Sequence, residues 1–298
     1  MLSVLIPTYN YSALPLVKSI YKQLDKRNIP FEVICFDNGS RSSSNVKNEE
    51  INKISNCRFQ ALEEDGGRSK IKNILVENAK YSWLLFLDSD VLPVSNSFIS
   101  DYVDAILKDS GVVFYGGLKY YNDPPSDNKM LRWVYGKHKE EVSYEKRNLN
   151  PQKYFTAANF VIKKTIFNNI KFDEELTEYG HEDTLLALDL EKENICITQI
   201  DNPVYHLGLD NNAIFLEKIK KSIDNLVFLH NQGRITNKDN TLLNITQKIN
   251  KIGLHSIIVK LFLRTQKRME TNLCSKVPSM VILNIYKIGY ASWRTRSG

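Results

Sequence analysis

No apolar run in this 298-residue chain approaches the ~20 residues that a membrane-spanning helix needs, and compact runs such as Trp83–Leu87 stop far short of it. A transmembrane span is therefore not expected. Cysteine is sparse: Cys35, Cys57, Cys196 and Cys274 lie far apart, form no CxxC pair and have no His at metal-ligand spacing. That excludes a zinc ribbon or a vicinal redox pair and leaves reduced, mostly buried thiols as the expectation. Met1 leads straight into LSVLIPTYN without a basic stretch and apolar segment before a cleavage site, so no secretory signal is expected and the protein is placed in the cytoplasm. Acid is nearly missing from residues 251–298, which hold nine Lys or Arg against Glu270 alone. That stretch carries +8 of a net +6, leaving the first 250 residues at about −2. A nucleic-acid binder would spread basic charge over its body, so nucleic acid is not an expected partner.

What is present is ordinary for a folded protein of one large or two modest domains: 42% hydrophobic and 25% charged residues. Apolar runs at Val4–Ile6, Phe31–Phe36, Trp83–Leu87 and Val112–Tyr115 are short and end in polar or turn residues, as strands buried on both faces do. Between them, Leu14, Val17, Ile20, Tyr21 and Leu24 recur at helical spacing, as do Ile71, Ile74, Leu75 and Ala79. The alternation predicts an α/β fold: an open, mostly parallel twisted sheet with helices on both faces, which binds ligands outside the carboxyl ends of its strands. Residues 119–150, with the turn Asp123-Pro124-Pro125-Ser126, read as a long polar surface loop that covers a site. Helical pattern returns over 212–232, and polar residues after Gly233 mark a boundary. The expected organisation is a catalytic domain over 1–232 and a helical extension over 233–298, with no internal repeat.

The chemically suggestive segments follow the strands. Pro7-Thr8-Tyr9-Asn10 follows the first, Asp37-Asn38-Gly39-Ser40 the second, and Asp88-Ser89-Asp90 the run WLLFL. A lone Asp-x-Asp says little. At the end of a buried strand, however, two carboxylates stand at the mouth of the sheet, where hard oxygen ligands hold Mg²⁺ or Mn²⁺ against a diphosphate.

VLIPTYN, FDNGS, GGRSKIKN, LFLDSD, YGHED at 179–183 and the later His206, in that order, resemble the family 2 glycosyltransferases of GT-A fold over residues 1–232. The resemblance implies transfer of a sugar from a UDP-sugar to an acceptor hydroxyl with inversion at the anomeric carbon. Asp37 would accept the imide N–H of uracil in a pocket lined by Pro7, Thr8 and Tyr9; alternatively it is the turn residue of Asp-Asn-Gly-Ser. Gly67 and Arg68, at a helix start, would meet base or phosphate, and Asp88 and Ser89 the rest of the donor. Asp88, Asp90 and His206 would hold Mn²⁺ or Mg²⁺, with core packing as the other reading of His206. Asp183 would be the general base and Glu182 its neighbour; acids at a helix start also favour the helix dipole. His181 is an acceptor-site candidate. The Q-x-x-R-W sequence of processive relatives does not follow YGHED, so one sugar per encounter is expected. PTYNYSALP is not the glycine-rich loop of a sugar nucleotidyltransferase, and a non-catalytic sugar-nucleotide or glycan binding module would have no use for the Glu182-Asp183 pair.

In the tail, Leu254, Ile257, Ile258, Leu261 and Phe262 share one helical face, and Lys260, Arg264, Lys267 and Arg268 another. A second apolar stretch, Val277–Ala291, lies between Lys276 and Arg294 with Arg296. Such a tail lies on an anionic membrane at the inner face of the plasma membrane, near a glycan or lipid-linked acceptor, or packs on the protein or on a second copy. The oligomeric state is not specified by the sequence.

Overall fold

The computed structural model describes residues 1–108, 110–176 and 179–296, the Arg296 side chain excepted. The first part alternates as the patterning predicts: β1 (Leu2–Thr8), α1 (Leu14–Leu24), β2 (Phe31–Asp37), α2 (Ser44–Asn48), β3 (Cys57–Ala61), α3 (Gly67–Glu77) and β4 (Trp83–Leu87). β5 (Val91–Pro93), α4 (Phe98–Leu107), β6 (Val113–Tyr115), β7 (Leu118–Lys119), α5 (Met130–Tyr135) and α6 (Tyr144–Leu149) follow. Then come β8 (Asn159–Lys163), α7 (Lys164–Asn169), α8 (Glu182–Lys192), β9 (Thr198–Gln199) and β10 (Val204–His206). The chain closes with α9 (Asn212–Asn231), α10 (Thr241–Lys251), α11 (His255–Leu273) and α12 (Met280–Arg296).

The main sheet runs β3-β2-β1-β4-β8-β6-β9. β3, β2, β1 and β4 are parallel, and β8 runs antiparallel between β4 and β6. Its strands read as unbroken apolar runs because both faces are covered. Val4, Ile6, Val33 and Leu85 pack with Val17 and Ile20 of α1 and Ile99 and Val103 of α4. Leu5, Ile34, Leu84 and Phe86 pack with Ile71 and Leu75 of α3 and Leu186 and Leu190 of α8 on the opposite face. Cutting one of these side chains back to Ala would cost about 2–5 kcal/mol. A second sheet, β5-β10-β7, pairs His206 with Val91, just beyond the Asp-x-Asp sequence.

The chain forms two compact units. One comprises 1–121, 139–177 and 182–208; the other comprises 122–138, 178–181 and 209–298. The break expected at 233 lies inside the second unit, because Phe215, Leu216, Ile219 and Ile223 of α9 share a core with Leu283, Tyr286 and Tyr290 of α12.

Two expectations need correction, and the rotation of α11 is fixed. Residues 119–150 are not a simple surface loop: they contain α5 and α6 and bury Tyr120, Leu131, Arg132 and Arg147. The Arg147 guanidinium donates to the carbonyls of Tyr115, Gly116, Val142 and Ile200 at 3.0–3.2 Å and to the Gln199 side chain. A polar sequence thus supplies a buried knot that satisfies strand-end carbonyls. Of the thiols only Cys35 is buried, since Cys196 lies just ahead of β9 and Cys274 just past α11. In α11, Val259, Phe262 and Leu273 are buried, whereas Ile257 and Leu261, with Leu254 just ahead of the helix, are exposed, so the apolar face read from sequence is packed at Phe262 and open along its other edge.

Candidate active site

β1, β2, α3, β4, α8 and β10 deliver their polar ends to one cluster within the first unit. At the end of β1, Thr8 is buried and donates through Oγ1 to the Tyr11 carbonyl at 2.9 Å, Pro7 is half-buried and Tyr9 is exposed. Asp37, at the end of β2, is fully buried. Its Oδ1 accepts from Ser40 Oγ at 2.6 Å, and its Oδ2 from Ser40 N and Asn45 Nδ2 at 2.9 and 3.0 Å. The carboxylate thereby shapes its own loop, one of the two roles open to it in the sequence. Asn38 ties that loop to the glycines: its amide donates to Asp65 Oδ1 at 2.6 Å and accepts from Gly66 N at 3.1 Å. Gly67, which opens α3, has φ +83°, a conformation that side chains resist.

α3 projects Arg68 and, one turn later, Lys72. Arg68 spans two carboxylates, with Nη2 3.8 Å from Asp88 Oδ2 and Nε 3.4 Å from Glu182 Oε1. Lys72 is buried, with Nζ 3.5 Å from the same Glu182 oxygen and 4.7 Å from the centre of the Phe172 ring. The sequence reading missed Lys72. Its signal was there: a Lys four residues after Arg68, on the face that Ile71 and Leu75 mark as buried.

Glu182 and Asp183 begin α8, and Asp183 Oδ1 accepts from Thr184 N at 2.7 Å. Burial, and then the adjacent Glu182, push the Asp183 carboxyl up to about 6, against the pull of Lys72 and Arg68. Burial also raises the Asp88 carboxyl, opposed by Lys72 and Arg68. A carboxyl balanced near neutral pH beside a fixed cation suits general-base work.

After β4, Ser89 is buried and Asp88 and Asp90 are half-buried. Asp90 Oδ2 lies 3.7 Å from His206 Nε2, and the Asp90 carbonyl accepts from Leu207 N at 2.8 Å. The His206 ring is stacked on Tyr120, 5.5 Å between centroids, and Tyr120 in turn donates its hydroxyl to Glu140. Gly208 makes room for the Asp90 carboxylate: a Cβ there would fall 1.9 Å from Oδ2. Two donors 3.7 Å apart are within the span that ligands about 2.1 Å from one divalent ion allow. The third expected ligand is not with them. Asp88 faces Arg68, and among the described residues no group of three His, Cys, Asp or Glu side chains converges as a metal site. The pair would fit a divalent ion as two of its ligands.

His181 belongs to the other unit, where it has φ +73° and its Nε2 lies 3.1 Å from the Ser222 carbonyl of α9. That unit also holds an open cleft of about 580 Å³, lined by Tyr179, Ile214, Lys218, Lys220, Glu270 and others. Lys220 there is paired with Glu217 and Glu270 at 2.7 and 3.0 Å.

Residues 3–171 match the sequence profile of Glycosyl transferase family 2. Chondroitin synthase of Pasteurella multocida (strain Pm70) is 25% identical over 213 residues, 61% of this chain and 22% of that protein. Chondroitin synthase of Escherichia coli is 25% identical over 236 residues, 69% of this chain and 34% of that protein. The chain therefore spans about a fifth to a third of these longer relatives. Among solved structures, S. aureus TarS 1–349 in complex with UDP superposes with a TM-score of 0.51 at 20% identity, over 99% of this chain and 90% of that one. The mannosyltransferase PcManGT from Pyrobaculum calidifontis, in complex with GDP-Man and Mn²⁺, superposes with a TM-score of 0.60 at 13% identity, over 99% and 86%. These likenesses show the GT-A fold.

Proposed function

Because the chain belongs to Glycosyl transferase family 2 and is a glycosyltransferase, we propose that it moves a single sugar from a UDP-sugar to an acceptor hydroxyl, inverting the anomeric carbon. The observation that carries this reading is Arg68, whose guanidinium spans the general-base pair and the strand-end carboxylate Asp88. In a single displacement the attacking hydroxyl must lose a proton on one side of the sugar while the diphosphate gathers charge on the other. Asp183 takes that proton. Arg68, at the start of α3, faces the developing phosphate charge. Asp90 and His206 would hold a divalent ion, which would supply positive charge to the departing diphosphate. Asp88 and Ser89 contact the donor beside it. Asp37 holds the shape of the pocket wall that Pro7, Thr8 and Tyr9 complete, and Oδ1, which has one donor, is the oxygen left to meet the base.

UDP as the nucleotide is supported by the UDP-bound neighbour of this fold, and of the acceptors expected from the sequence (surface polysaccharide, lipid-linked oligosaccharide or glycoprotein glycan) the two chondroitin synthases support the polysaccharide. The basic C-terminal helices support a site of action at the inner face of the plasma membrane. Hydrolysis of UDP-, GDP- and dTDP-sugars by the purified protein, with Mn²⁺ or EDTA, tests the donor half. Slow, metal-dependent turnover of one UDP-sugar, lost in Asp90→Ala, is expected. Calorimetry that detects no binding of UDP with Mn²⁺ would reject the donor assignment.

A further inference from the structure

We propose that α11 lays its outward face into the interface of an anionic lipid bilayer. This rests on the membrane-surface reading above, though not on the donor or the chemistry, and it names the surface. The rotation of α11 is fixed by its buried side: the Phe262 ring meets Tyr286 and Tyr290 of α12 at 5.3 and 6.2 Å. Gly289 of α12 admits it, since a Cβ there would fall 2.5 Å from that ring. Opposite Phe262, the side chains of Ile257, Lys260, Leu261, Arg264, Lys267 and Arg268 are exposed, Ile257 and Leu261 by 60% and 56%. The single acid of α11 is turned inward. Glu270 accepts from Tyr286 Oη at 2.7 Å and Gln266 Nε2 at 3.0 Å and pairs with Lys220 at 3.0 Å. The outward face is therefore left with four cations, no carboxylate and a row of aliphatic side chains that Leu254 extends.

The cations call for a polyanion, and the aliphatic row selects which kind. A nucleic acid or an acidic polysaccharide would engage the Lys and Arg heads and leave Ile257 and Leu261 in water. A bilayer interface takes both, the aliphatic groups at the acyl boundary and the ammonium and guanidinium groups among headgroup phosphates.

The test is cosedimentation of the full chain with vesicles of phosphatidylcholine alone, or with one third phosphatidylglycerol. Two variants accompany the wild type: Ile257→Gln with Leu261→Gln, and Lys260→Gln with Arg264→Gln and Lys267→Gln. All five side chains are exposed, so both variants should keep the wild-type circular dichroism and donor hydrolysis. Wild-type binding to the anionic vesicles only is expected, with a loss of about tenfold or more in each variant. Equal binding to both vesicle types, or wild-type binding by the aliphatic variant, overturns the proposal; the latter would leave a patch for soluble polyanions. A wild-type dimer that the aliphatic variant turns into a monomer, without change in vesicle binding, overturns it in favour of a subunit contact. Vesicle binding in the expected pattern by a protein that binds no UDP with Mn²⁺ in calorimetry would reject the donor assignment and leave this proposal standing.

Discussion

Lys72 Nζ lies 3.5 Å from Oε1 of Glu182, in a pocket where the lysine is 2% exposed. A buried ammonium is tolerated only beside a carboxylate, and this one meets the residue next to the proposed base. The pair thus gives α3 a hold on the start of α8. It also sets the field at Asp183, where Glu182 and Lys72 act in opposite directions.

That opposition predicts two pH profiles. With its carboxyl at about 6, Asp183 is ionised at neutral pH and protonated below, so transfer should fall as pH drops through about 6. Glu182→Gln removes the charge that raises Asp183 and should move the acid limb to lower pH. Lys72→Met removes a charge that lowers it and should move the limb to higher pH, each by about half a pH unit or more. Profiles of kcat/KM that shift together, or not at all, would contradict this electrostatic account.

Asp183→Asn keeps the shape of the residue and removes the proton acceptor. Transfer should fall about 10²–10⁴-fold while UDP affinity, read by calorimetry, stays at the wild-type value.

Gly208→Ala tests the seat of Asp90. The added methyl collides with the carboxylate, so the Mn²⁺ concentration that gives half-maximal turnover should rise about tenfold or more, as it should for His206→Ala. Thermal unfolding of the Gly208→Ala protein should remain cooperative, separating a displaced ligand from a damaged fold.

Arg147→Met leaves several strand-end carbonyls without their donor. A stability loss of about 3–5 kcal/mol is expected by denaturant titration, because one partner of a buried charged network is missing.

Much of this site was legible because strand ends advertise themselves: WLLFL before Asp88 and FEVICF before Asp37 place both carboxylates without any knowledge of contacts. Lys72 was not legible in the same way, since a lysine inside an amphipathic helix reads as solvated until its partner is known. Nor was the burial of Arg147. Its acceptors are main-chain carbonyls, which every residue carries and no motif marks. The rotation of the tail helix was not legible either. Periodicity identifies an apolar face but not whether it is the packed one, and in α11 the aromatic Phe262 decided the rotation.

The pairing of β5 with β10 also has a consequence for synthesis. Asp90 emerges from the ribosome early, but His206 and Gly208, which seat it, come more than a hundred residues later. The nascent chain therefore carries β1 to β4 long before the groups that position the Asp90 carboxylate exist. The seat of Asp90 is thus completed only after most of the scaffold has been made.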